Sequence, residues 1–145
     1  MELDNSKLKK IKGYFKKNKS VIALYLYGSY AKKTAKPNSD IDLGIIFDSD
    51  YRNKLNGFDS FGYQANVSKD LGIDVELQDL RSCTLSFAHR VLVEGQLIVA
   101  NNEKERILFE EEILRKYFDS KPLFDEYYSS LSKITKKGEI HVRYV

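Results

Sequence analysis

Cysteine is nearly missing from this 145-residue chain. Cys83 stands alone, which excludes an internal disulfide framework and a paired-cysteine metal knuckle. Only two histidines, His89 and His141, are present. They are too sparse for zinc-ligand spacing, so both are expected in packing or surface roles. Cys83 lacks any legible activating histidine constellation and is expected to be a small core residue. No run of eighteen apolar residues occurs, hence no membrane-spanning helix is expected. The first residues, MELDNSKLKKIKGYFKK, lack the apolar core and small-residue cleavage site of a secretory signal. Together these absences imply a cytoplasmic protein without membrane contact.

What is present describes a folded domain. Hydrophobic residues make up 42% and charged residues 31%, a balance that argues against wholesale disorder. The length fits one domain over residues 1–145, with a core over about 1–100 and helices over about 103–136. Net charge is only +3 but unevenly spread, because Lys7, Lys9, Lys10, Lys12, Lys16, Lys17 and Lys19 crowd the first twenty residues. That end suits nucleic acid, a polyanionic cofactor or an acidic partner; it equally suits a plain solvated helix face.

Periodicity sets the order of elements. Asn5 or Ser6 can cap a helix carrying Leu8, Ile11 and Phe15. Residues 21–27 form a continuous apolar run suited to a strand covered on both faces. A short helix is expected over Tyr30–Ala35, stopped by Pro37, and a second strand over Ile41–Phe47. Residues 48–57 are polar and turn-rich. A helix over Phe58–Leu71 closes at Gly72, and 73–77 alternates as a half-buried strand. A helix over Thr84–Glu94, a strand over 97–99 and an amphipathic helix over Glu103–Phe118 follow. The stretch 119–122 should interrupt that helix, leaving a last helix over Leu123–Ile134 and a basic tail over 137–145. The expected fold class is α/β (α+β): a small mixed four-stranded sheet flanked by helices, with a helical C-terminal extension.

The chemistry lies in YGSYAKKTAKPNSDID, residues 27–42. Alternate residues of a strand share a face, so Asp40 and Asp42 present two carboxylates side by side. Like charges that close resist ionising unless a cation sits between them, and a hard divalent ion, Mg²⁺ or Mn²⁺, is the natural partner. Asp74 and Glu76 share a face of another strand, and either completes a three-carboxylate cluster if the two strands are neighbours. Such a cluster suits phosphoryl or nucleotidyl transfer. Gly28 allows a phosphate to approach the backbone, Ser29 adds a donor, and Lys32 and Lys33 offset triphosphate charge. The stretch NSDIDLG imitates a calcium loop, but Leu43 takes the place of the required glycine and Ser49 that of the bidentate glutamate.

Gly28, Ser29, Asp40 and Asp42 resemble the signature of the polymerase-β-like nucleotidyltransferases: Gly-Ser, ten residues, then Asp-x-Asp. The stretch IDVE at 73–76 matches that superfamily's third-acid strand with Asp74 in the acid position and Glu76 in reserve. The C-terminal stretch VLVEGQLIVANNEKERILFEEEILRKYFDSKPLFDEYY is similar to the tail of the minimal nucleotidyltransferases, in particular the MntA-like antitoxins paired with HEPN toxins. The resemblance implies the nucleotidyltransferase fold and an adenylyltransferase that moves AMP from ATP onto a tyrosine of its toxin, silencing an RNase. It implies that Gly28, Ser29 and Lys32 bind the nucleotide, and that Asp40, Asp42 and Asp74 bind Mg²⁺ and carry catalysis. The family often reads GSyArG, so Lys32 replaces arginine and Lys33 replaces glycine. Lysine keeps the charge but loses the bidentate fork. Other functions open to such a chain are a stand-alone transferase acting on a small hydroxylated molecule, a non-catalytic toxin binder, and a nucleic-acid binder using the lysine-rich end.

Overall fold

The computed structural model describes residues 4–36, 39–48 and 57–136. In chain order the elements are α1 (Asn5–Lys16), β1 (Val21–Tyr27), α2 (Gly28–Ala31), β2 (Ile41–Phe47), α3 (Gly57–Leu71), β3 (Val75–Asp79), α4 (Leu85–Glu94), β4 (Gln96–Ala100) and α5 (Glu103–Lys136). The four strands form one mixed sheet in the order β3-β2-β1-β4, with β1 antiparallel to both neighbours and β2 parallel to β3. This is the small mixed sheet that the apolar runs predict.

Both faces of the sheet are covered, which explains why β1 and β2 read as nearly continuous apolar runs. On one face Ile11 and Phe15 of α1 and Val67 and Leu71 of α3 pack against Leu24, Leu26, Leu43 and Ile45. On the other, Ala88 and Val91 of α4 and Phe109 and Ile113 of α5 pack against Ala23, Tyr25 and Ile46. A register shift between Val21 and Ala23 turns Ile22 and Ala23 to the same side, so strict alternation fails there. Asn101 fastens this corner: its Nδ2 donates to the carbonyls of Phe15 (2.9 Å), Asn18 (3.2 Å) and Val21 (3.0 Å). Across the sheet, the Tyr25 hydroxyl donates to Glu110 Oε1 (2.5 Å), which also accepts from Arg106 Nη1 (2.9 Å). That chain ties α5 to the central strand, and burial together with Glu110 pushes the Tyr25 pKa upward.

Several boundaries depart from the sequence expectation. Asp4, not Asn5 or Ser6, caps α1 by accepting from the Ser6 amide (3.0 Å). The short helix starts two residues early, at Gly28, and ends at Ala31. β3 begins at Val75 rather than Ile73, because Gly72 at φ +66° turns the chain and Ile73 N still bonds to Ser68 O (3.3 Å). The largest correction concerns the C-terminus, where one 34-residue helix, α5, replaces the two expected helices. Pro122 lies inside it. A proline costs a helix about 3 kcal/mol, a local penalty that helical turns on both sides outweigh. Pro37, the middle of the 48–57 stretch, His141 and the tail 137–145 lie outside the described residues. Among the described residues no helix is long and apolar enough to cross a membrane.

Candidate active site

The antiparallel pairing of β1 and β2 explains the ten-residue spacer. The chain leaves β1 at Tyr27, passes through α2 and a loop, and re-enters the sheet beside its point of departure. Tyr27 then lies opposite Asp42, and the parallel pairing of β2 with β3 sets Asp42 opposite Glu76. Residues directly opposite share a face. Tyr27, Asp42 and Glu76 therefore form a row across three strands, on the side where α4 packs. The Tyr27 ring meets Phe87 of α4 edge-on, at 5.5 Å between centroids.

Gly28 closes over this row. Its φ is +74°, in the left-handed region that side chains resist. A Cβ built there would lie 3.1 Å from Asp42 Cγ and still closer to Oδ2, so only hydrogen fits beside the carboxylate. Ser29 follows, its carbonyl accepting from Thr34 N (2.8 Å) and so folding the loop back on α2. Lys32 lies at the end of α2, where its Nζ stands 3.3 Å from Glu94 Oε2 at the end of α4. Lys33 adopts φ 60°, the conformation natural to the glycine it replaces in the family pattern.

The carboxylates feel one another. Burial pushes the Asp42 pKa up to about 6, and the charge of Glu76, a hydrogen bond with Glu76 and the charge of Asp40 push the same way. Burial and the charges of Asp42 and Glu76 likewise raise Tyr27. Asp74 lies outside the Tyr27–Asp42–Glu76 row. It precedes β3, is exposed, and its carbonyl accepts from Ile41 N (3.5 Å). Asp40, Asp74 and Glu76 all line a groove of about 600 Å³ along the outer edge of β3. The outward amides of that edge strand are satisfied by α3: Leu77 N donates to Gln64 Oε1 (2.8 Å) and Val75 N to Ser68 Oγ (3.3 Å).

Among the described residues no three Asp, Glu, His or Cys side chains close into a cage for a metal ion. The donor set nevertheless fits a hard divalent cation. Asp40, Asp42 and Glu76 offer only carboxylate oxygens, and their mutual repulsion is the kind a cation removes. A magnesium ion in such a site takes one or two carboxylates and fills its shell with substrate phosphate and water.

Residues 9–104 match the family described as polymerase beta, nucleotidyltransferase. The chain belongs to that nucleotidyltransferase family. One curated relative, the protein adenylyltransferase MntA of Shewanella oneidensis strain MR-1, is 26% identical over 84 residues, 58% of each chain. The chain thus spans about 58% of that relative's length. A solved toxin-antitoxin structure with AMP-PNP superposes with a TM-score of 0.67 at 23% identity, over 88% of this chain and 98% of that one. A complex of tri-AMPylated Shewanella oneidensis HEPN toxin with MNT antitoxin gives a TM-score of 0.64 at 19% identity, over 92% and 99%. These structural likenesses establish the nucleotidyltransferase fold.

The structure of this nucleotidyltransferase brings Gly28, Asp42 and Glu76 together, with Asp40 close enough in charge to be felt. Two residues near the row carry no sequence signal. Tyr27 reads as the end of an apolar run, and only the strand pairing shows it opposite Asp42. Glu94 reads as a helix end, and only the tertiary fold sets it beside Lys32. His89 stacks on Tyr117 at 3.6 Å between centroids, the packing role expected of it. Burial raises the Cys83 thiol, which donates to Leu80 O (3.4 Å), as suits a small packing residue.

Proposed function

We propose that this nucleotidyltransferase transfers AMP from ATP to a tyrosine hydroxyl of a partner HEPN-type toxin and thereby neutralises it. The observation that carries the reading is the Asp42–Glu76 pair, with Asp40 beside it, under a Gly28 that leaves no room for a side chain. The similarity to MntA, named a protein adenylyltransferase, and to antitoxins solved with their toxins supports the acceptor and the partner. The AMP-PNP complex of a neighbour supports ATP as donor.

In this reading Gly28 and Ser29 grip the β- and γ-phosphates, and Lys32 turns from Glu94 to the triphosphate. Asp40, Asp42 and Glu76 hold Mg²⁺, with Mn²⁺ an alternative. When bound, the ion supplies neutralisation of charge around the α-phosphate. We assign the third-acid position to Glu76 rather than Asp74, because Glu76 is the register partner of Asp42. The tyrosine oxygen attacks the α-phosphorus, its proton passes to a carboxylate of the row, and the bond to pyrophosphate breaks. The groove beside β3 runs past Asp40 and Glu76, where a protein segment can approach the end of this row.

Incubating the chain and its co-expressed partner with ATP labelled in the α-phosphate tests the reading. Metal-dependent label on a partner tyrosine is expected. Equal labelling by the Asp40→Ala/Asp42→Ala variant would overturn it.

A further inference from the structure

The lysines of α1 take no part in the site described above, and among the described residues they form no ion pair. Residues 5–19 carry seven lysines and no acid, leaving 17 basic against 21 acidic residues, net −4, in the rest of the chain. Lys7, Lys9, Lys10, Lys16, Lys17 and Lys19 are exposed. None of the α1 lysines forms an ion pair with another described residue. Five of these lysines lie in α1 and two in the turn after it, so this end is strongly positive while the rest of the chain carries a net negative charge.

The arrangement of that charge is specific. α1 buries Ile11 and Phe15 against the sheet, with Leu8 partly covered beside them. At about 100° per residue, Lys9, Lys12 and Lys16 fall on one flank of the solvent side and Lys7, Lys10 and Lys17 on the other. Between the two rows runs a ridge made of Ser6 and Gly13. Gly13 has nothing within 4 Å of where its Cβ would be, so no packing contact in the fold calls for a glycine there. A glycine inside an exposed helix weakens it, and a standing reason to keep one is close approach of a ligand to the backbone.

We propose that α1 is a nucleic-acid-binding face that lies in the major groove of duplex DNA, its small ridge toward the groove floor and its lysine rows on the two flanking phosphate backbones. The B-form major groove is about 12 Å wide and admits a helix of about 10–12 Å, whereas the A-form groove of duplex RNA is too deep and narrow. Lysine is a point charge suited to phosphate oxygens and lacks the planar fork of arginine, so backbone contacts dominate and affinity is expected to vary little with sequence. The ridge offers no aromatic or large apolar anchor of the kind that centres a protein interface, which argues against an acidic protein as occupant. Nor does it present a free aromatic for stacking single strands, since Tyr14 packs edge-on against Phe15 and its hydroxyl bonds to Asp70.

Fluorescence anisotropy of the full chain with labelled duplexes of unrelated sequences tests this. Duplex DNA is expected to bind with a log K against log salt slope of roughly −5, and duplex RNA at least tenfold more weakly. Lys9→Glu with Lys16→Glu should make the slope shallower by about 2. Gly13→Leu keeps every charge and should leave the slope unchanged and the melting temperature equal or higher, yet weaken DNA binding by about tenfold, roughly 1.4 kcal/mol. Wild-type binding by Gly13→Leu, equal affinity for the two duplexes, or indifference to the lysine reversals would each overturn the proposal. So would preferential binding of an acidic protein with no measurable binding of DNA.

Discussion

Replacing Asp42 with asparagine should stabilise the metal-free fold at neutral pH while abolishing transfer. The carboxyl pKa rises from 3.8 to about 6 in the folded chain, from burial and from Glu76 and Asp40 beside it. A raised folded-state value means that the fold prefers protonated Asp42. That contribution is fully present below about pH 4 and is lost as pH rises through about 6. A shift of this size is worth about 3 kcal/mol for a wholly buried group, and solvent screening at the partly exposed Asp42 reduces it to about 1–2 kcal/mol. Asparagine keeps the shape, removes the charge and gives Glu76 a donor in place of a rival. Urea unfolding of both proteins, in chelator and across the acid-to-neutral range, measures the gap. It should be near zero at about pH 4 and grow to about 1–2 kcal/mol by about pH 8, equivalent to roughly 3–8 °C in melting temperature. Divalent metal should narrow the gap by stabilising only the wild type. A gap independent of pH, or an asparagine variant less stable than wild type at neutral pH, would refute the reasoning.

Gly28→Ala should cost about 1–2 kcal/mol for a side chain forced into left-handed backbone, and more as Asp42 is pushed aside. Its transfer activity should fall further than its stability explains, which thermal unfolding and single-turnover labelling together would show. Lys33→Gly should gain about 0.5–1 kcal/mol, since its φ of 60° suits glycine, and Lys33→Val should lose stability, both read by urea unfolding. Asn101→Ala removes one donor from each of the carbonyls of Phe15, Asn18 and Val21 and should cost about 1–3 kcal/mol in the same assay.

The parts of the fold that local chemistry controls were legible in the sequence. Apolar runs marked β1 and β2 because each strand is buried on both faces. Gly28, Ser29, Asp40 and Asp42 announced a site by spacing alone, though the reason for the spacing, an antiparallel return, lay in the pairing. Asp74 and Glu76 illustrate the limit. Both share a strand face by parity, and only the register of β3 against β2 sets Glu76, not Asp74, opposite Asp42. Pro122 misled for a different reason: a proline is a strong local signal, but a helix is decided over all its turns. Tyr27 and Glu94 were invisible because their neighbours are distant in sequence.

The most direct test of the account is adenylyl transfer to the partner by wild type, Glu76→Gln and Asp74→Asn, measured side by side as intact partner mass after incubation with ATP and Mg²⁺. The strand register predicts that Glu76→Gln loses at least about a hundredfold in rate, the scale of removing one positioned catalytic group. Asp74→Asn should stay within severalfold of wild type. The reverse order, with Asp74 indispensable and Glu76 replaceable, would contradict the assignment of the site to the Asp42–Glu76 row.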